Sequence, residues 1–230
     1  MLDKEKPSDL FFDLDHTLWD FEKNSSMTFE RVFQEMRIQL ALENFLLAYE
    51  EINHRFWMLY RENKITQLEL RHQRLIHTFQ TIDYDYDPNK INQISDLYIR
   101  YLSTFTHLFE GTIPLLEELK QKYQIHIITN GFEGVQQRKI ENSGLSPFVD
   151  KIITAEKVGY KKPNPIIFEY ALEQTATDAS KSIMIGDSLE ADILGALAVG
   201  MGAIHFNSHN EPQHDYCPVV NSLRDIQNLL

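Results

Sequence analysis

Hydrophobic positions along the chain change period twice. Short continuous apolar runs, Leu10–Phe12, Ile125–Ile128, Ile152–Ile153 and Ile183–Ile185, read as buried strands. Between the first and second runs the period lengthens to that of a helix, in four stripes. These are Phe29, Val32, Phe33 and Met36; Ile52, Phe56 and Leu59; Leu68, Leu75 and Phe79; and Ile91, Ile94, Tyr98, Leu102 and Phe105. Four amphipathic helices in succession predict a small bundle, with Asp83–Pro88 as the loop before its last member. From Gly111-Thr112-Ile113-Pro114 onward helix and strand patterns alternate to the end of the sequence. That alternation predicts an α/β fold, a parallel sheet covered by helices on both faces, with ligands at the carboxyl ends of the strands. The expected organisation is a core formed by residues 1–18 and 107–230, interrupted by a helical insertion at 19–106. No internal repeat or low-complexity segment is evident.

Composition narrows the class. A chain of 230 residues can bury a substantial core, and 43% apolar residues exclude a disordered chain. No apolar stretch approaches the roughly 20 residues needed to span a bilayer. The start, Met1–Pro7, has no signal-peptide core, so no membrane partner is expected and the cytoplasm is the default location. Cys217 is the only cysteine, which rules out an internal disulfide and a cysteine-built zinc cluster. A formal net charge of −12 argues against a surface built for a nucleic acid polymer. A small phosphorylated partner is still compatible, because charge at the mouth of a site outweighs the global balance.

Each predicted strand ends in residues suited to phosphoryl transfer. The first leads into Asp13-Leu14-Asp15-His16-Thr17, two carboxylates two residues apart: one can attack phosphorus while the other protonates the leaving oxygen and later activates water. The second leads into Thr129-Asn130-Gly131, a hydroxyl, an amide and open backbone N–H groups for phosphate oxygens. Lys161-Lys162-Pro163 follows the third, and Lys162 is the cation chosen to steady the nucleophile and offset phosphoryl charge. The fourth ends in Gly186-Asp187-Ser188-Leu189-Glu190-Ala191-Asp192, where acids can bind a divalent cation.

On these four motifs, D-x-D-x-T, Thr129, Lys162 and G-D-x-x-x-x-D, the chain is identified as resembling the haloacid dehalogenase-like (HAD) hydrolase superfamily over essentially its whole length. Thr17–Phe21 and Glu156–Phe168 further resemble the noncanonical-pyrimidine 5′-nucleotidase-like members. The resemblance implies a Rossmann-like core with a mobile helical cap, hinged near Gly111 and Trp19-Asp20, that closes over the site and selects substrate. It implies Asp13 as nucleophile, Asp15 as general acid and base, Thr129 as phosphoryl-binding and Lys162 as charge-stabilising, with Asn130 and Gly131 beside the substrate. It also implies Mg²⁺ among the Asp13 carboxylate, the Asp15 backbone carbonyl and Asp187, with Asp192 in support. The function expected is a Mg²⁺-dependent phosphatase of small metabolites, nucleoside 5′-monophosphates first. The alternatives are a sugar-phosphate phosphatase or phosphomutase, a 2-haloacid dehalogenase, and a silent binding module. The dehalogenase would leave Asp15 and Asp187 without a use, and the silent module is expected to lack a catalytic group.

Other features have plainer readings. His16 stands where many superfamily phosphatases have Gly, and is expected to serve a positional role on an ordinary backbone conformation. Trp19, Phe21, Phe56, Trp57 and Tyr60 can stack on a nucleobase, but aromatic residues at helical spacing are expected to be core. His205, His209 and His214 are irregularly spaced in a polar segment and read as a surface loop rather than a metal site. Gly131 and Gly134 are too little for a dinucleotide site.

Overall fold

The computed structural model describes residues 6–230; the start of the Met1–Pro7 segment, residues 1–5, lies outside the described residues. Strands β1 (Asp9–Phe12), β2 (Gln124–Thr129), β3 (Lys151–Thr154), β4 (Ser182–Gly186), β5 (Gly202–Phe206) and β6 (Val219–Val220) form one sheet in the order β3-β2-β1-β4-β5-β6. Every neighbouring pair is parallel. Parallel strands need crossovers, and these are supplied by α5 (Thr112–Leu119), α6 (Glu133–Asn142), α7 (Ala155–Val158), α8 (Pro165–Thr175) and α9 (Gly195–Ala198). Phe11, Ile128 and Met184 pack on Ile167, Phe168 and Ala171 of α8. The alternate positions Leu10, Phe12, Ile127 and Ile185 are equally buried, which is why these strands read as continuous apolar runs.

Two compact units emerge. One contains the described residues up to Phe21 together with Thr106–Leu230, and the other is Glu22–Phe105. The second unit is helical, from α1 (Phe21–Met36) through α2 (Leu42–Arg61) and α3 (Gln67–Thr81) to α4 (Ile91–Leu102). Phe29 anchors it, with ring centroids of Phe45, Tyr49 and Tyr98 at 4.7, 4.6 and 4.5 Å. One expected stripe shifts: Leu68 is exposed, and Leu70 takes the buried position with Leu75 and Phe79. Leu68 lies in the first turn, where the Thr66–Glu69 capping box starts the helix. No helix among the described residues is long and apolar enough to cross a membrane.

A buried polar pair ties β1 to β2. His126 Nε2 lies 2.9 Å from Asp9 Oδ1, and Nδ1 has no hydrogen-bond partner among the described residues. Burial holds the imidazole below its ordinary value of 6.5, outweighing the opposing pull of Asp9 and, more weakly, of Asp150; Lys120 adds to the lowering. The neutral ring therefore donates from Nε2, and a second proton would sit on an unpartnered nitrogen. Below that ordinary value the unfolded chain binds a proton that the fold does not, so stability falls as pH falls towards the lowered folded value. We expect His126→Gln, which keeps a donor for Asp9, to lose less melting temperature than wild type between about pH 7.5 and about pH 5.5. Equal losses in parallel thermal melts would remove His126 as the cause.

Candidate active site

Strand order decides which motifs meet. β1 lies between β2 and β4, so Asp13, one residue past β1, has Thr129 at the end of β2 on one side and Gly186-Asp187 on the other. Asp13 N–H donates to Ile185 O at 2.9 Å, which extends the β1–β4 pairing and holds the nucleophile candidate on the rigid sheet. β3 feeds α7 and then the loop carrying Lys162.

Lys162, not Lys161, is the buried lysine: its side chain is 2% exposed. Its ammonium donates to Asp13 Oδ1 at 2.5 Å and to Ile128 O at 2.7 Å, and ion-pairs with Asp192 Oδ1 at 2.6 Å. The Asn130 side chain clamps the loop, accepting from Lys162 N at 2.8 Å and donating to Lys162 O at 3.0 Å. Its amide, expected beside the substrate, thus positions Lys162. Burial pulls the Lys162 ammonium down, but Asp13 and Asp192 overcome it and hold the group charged above its ordinary range. Burial raises Asp13 well above the usual carboxylate range; Lys162 opposes, and Asp192 and Asp187 push further up. Asp192 is raised too, chiefly by burial. Asp187 is half-buried; desolvation pushes its carboxyl up, but a hydrogen bond from His209 and the charges of His16, His209 and Lys162 bring it below the usual range.

Ligand atoms of Asp13, Asp187 and Asp192 all lie within 4.8 Å of one another. Three carboxylates facing one ammonium form an all-oxygen set with excess negative charge, which suits a hard divalent cation. Asp192 is delivered by a π-helical segment, Leu189–Leu194, and its Oδ2 accepts from Ser188 N at 3.0 Å. Gly186 makes room for it, since a Cβ there would overlap the Asp192 carboxylate. Asp187 Oδ1 accepts from Thr17 Oγ1 at 3.2 Å, which gives the Thr of D-x-D-x-T a structural use.

Three sequence expectations need correction or addition. His16 does not sit on an ordinary backbone: its φ is +64°, a left-handed conformation that costs an L-residue roughly 1–2 kcal/mol. Ring contacts with Phe21 and His209, at 4.8 and 4.7 Å, oppose that cost. His205 is not on a surface loop. It belongs to β5, is 1% exposed, and donates from Nε2 to the Asp187 carbonyl at 2.7 Å while Nδ1 meets His214 Nε2 at 2.8 Å. Only His209 and His214 lie in the polar segment, with His209 Nε2 3.4 Å from Asp187 Oδ2. Sequence reading also missed Gln136 and Lys139 of α6, both buried, which contact Asp15. Their signal was slight, two polar residues three apart in a helix starting just after Thr129-Asn130-Gly131.

Core packing accounts for some aromatic candidates: Trp19, Phe21 and Phe56 are buried, and only Trp57 and Tyr60 are half-buried. Thr129 Oγ1 accepts from Gly131 N at 3.1 Å and from Gln136 Nε2 at 2.7 Å.

A family model described as haloacid dehalogenase-like hydrolase matches residues 10–200. The pyrimidine 5′-nucleotidase YjjG of Escherichia coli is 33% identical over 225 residues, covering 96% of each chain. The pyrimidine 5′-nucleotidase PynA of Streptococcus pneumoniae is 28% identical, covering 96% of this chain and 92% of its own. The crystal structure of the HAD-hydrolase YfnB from Bacillus subtilis bound to magnesium superposes with a TM-score of 0.87 at 27% identity, over 98% of this chain and 99% of that one.

Proposed function

The chain belongs to the haloacid dehalogenase-like hydrolase family, and from that premise we propose a Mg²⁺-dependent phosphomonoesterase that acts on nucleoside 5′-monophosphates, pyrimidine ones first. The observation that carries the chemistry is the placement of Asp13, buried, ion-paired to Lys162 and two residues from a second carboxylate. The substrate class rests on the likeness to the two pyrimidine 5′-nucleotidases. The helical insertion, residues 19–106, is assigned here to substrate selection as a cap.

In the first half-reaction an Asp13 carboxylate oxygen bonds to phosphorus and the ester P–O bond breaks. The leaving oxygen takes its proton from Asp15. Water then attacks the aspartyl-phosphate, Asp15 accepts the water's proton, and the Asp13–phosphorus bond breaks to release inorganic phosphate. Lys162 steadies Asp13 against repulsion from the incoming dianion, and Thr129 with the Asn130 backbone N–H receives the non-bridging oxygens, the Gly131 N–H being donated to Thr129 Oγ1. The residues that would hold Mg²⁺ are Asp13, Asp187, the Asp15 backbone carbonyl and, in support, Asp192; the ion would offset carboxylate–phosphate repulsion and polarise the phosphoryl group.

Phosphate release should be measured across nucleotides, sugar phosphates and haloacids, with Mg²⁺ and with EDTA. Turnover is expected with Mg²⁺, highest on pyrimidine monophosphates, and its removal should cost on the order of 10²–10³ in rate. Preference for sugar phosphates would overturn the substrate class alone. Activity on no phosphomonoester would overturn the chemistry.

A further inference from the structure

We propose that Lys139 and Gln136, on one face of α6, are positioning residues that hold the Asp15 carboxylate where its acid–base work is done. The inference rests on the phosphatase reading, since only there does Asp15 carry protons. Lys139 Nζ lies 2.5 Å from Asp15 Oδ1, and its side chain is 2% exposed. Its ammonium also sits 4.1 Å from the Trp19 ring centroid and 5.3 Å from that of Phe21, both buried rings. A buried ammonium is costly without a charged partner, so the aromatic walls that exclude water also bind Lys139 to Asp15.

Gln136 completes the hold. Its Nε2 donates to Asp15 Oδ2 at 2.9 Å and to Thr129 Oγ1 at 2.7 Å. The two hydrogens of one amide nitrogen thus link the phosphoryl-binding hydroxyl to the acid–base carboxylate. The amide cannot be turned round, because its oxygen would then face a carboxylate. Gly131 leaves the space for it: a Cβ there would overlap the Gln136 side chain.

The reason for such a device lies in the access of water. The Asp15 side chain is 22% exposed. Without a fixed cation and donor its carboxylate would be free to turn towards solvent, away from the geometry that proton transfer needs. Lys139 supplies that cation from the side opposite in chemistry to Lys162: one lysine steadies the nucleophile, the other the acid–base group. Gln136 and Lys139 are three residues apart and so share a helix face, and α6 starts four residues after Thr129. The same chain segment therefore delivers the phosphoryl cradle and the support of Asp15.

The test is Lys139→Met, which keeps an apolar stem against Trp19 and Phe21 and removes the charge. In holoenzyme with Mg²⁺, kcat should fall roughly 10²-fold with KM little changed, and Lys139→Arg should recover part of the loss. Beryllofluoride, a mimic of the aspartyl-phosphate followed by fluorine NMR, should still bind the variant, because Asp13, Thr129 and Lys162 are untouched. Wild-type kcat in Lys139→Met, or loss of the beryllofluoride complex in a folded variant, would overturn the inference. Should Lys139→Met not fold, Gln136→Met decides: lowered kcat with the complex retained supports it, unchanged kcat refutes it. A wild type that neither releases phosphate nor binds beryllofluoride would sink the phosphatase reading, and this inference with it.

Discussion

Asp13→Asn is expected to release phosphate at least roughly 10³-fold more slowly than wild type and to melt no earlier in EDTA. The first half follows from the proposed role, since an amide oxygen cannot form the acyl-phosphate. The second follows from the charges around it. Asp13 is 8% exposed and shares one ammonium with Asp192, with Asp187 close by. Burial and those carboxylates hold Asp13 well above its ordinary pKa, so its charge opposes folding near neutral pH when no cation is added. An asparagine removes one of the clustered negative charges and leaves Lys162 its contacts with Asp192 and Ile128 O. Phosphate release and thermal melts on the same preparation check both halves. Retained turnover would mean that another group attacks phosphorus; a much lower melting temperature would mean that Asp13 supports the fold in a way its charge environment does not explain.

Lys162→Met is expected to act oppositely on stability. It removes the cation and leaves Asp13 and Asp192 buried beside each other and the Ile128 carbonyl without its donor. Breaking a buried pair by deleting one partner typically costs about 3–5 kcal/mol, and the lost electrostatic group on the order of 10²–10³ in rate. Urea unfolding should show the destabilisation most clearly in EDTA, and added Mg²⁺ should reverse part of it by mass action on the carboxylate cluster. A variant as stable as wild type in EDTA would show that the ion pair contributes nothing net to folding. One that is unstable yet fully active would remove Lys162 from the chemistry.

Much of this was legible because each motif follows a short apolar run. Leu10–Phe12, Ile125–Ile128 and Ile183–Ile185 are buried on both faces, so composition alone marks them as strands, and the polar residues next in sequence must fall at strand ends. In the sequence Lys162 is chosen over Lys161 for its place beside Pro163; in the structure Lys162 is the buried one of the two and donates to Ile128 O of β2. His16 was misjudged because nothing local to the residue shows φ, and its ring contact with His209 spans most of the chain. His205 was grouped with a polar loop because its neighbours from Asn207 onward are polar; pairing of Ile185 with Ile204 and Gly186 with His205 draws it into the sheet.

Periodicity and the order of motifs therefore determined the α/β class and set the expectation of a helical insertion and of clustered acids, since each depends on residues adjacent in the chain. The tertiary structure alone decided that Lys139 and Gln136 face Asp15 and that Asn130 serves Lys162. Those partners are 124, 121 and 32 residues apart in sequence, and their meeting depends on β1 lying between β2 and β4. A buried cation looks like any surface lysine until the strand order brings a carboxylate and two aromatic faces around it.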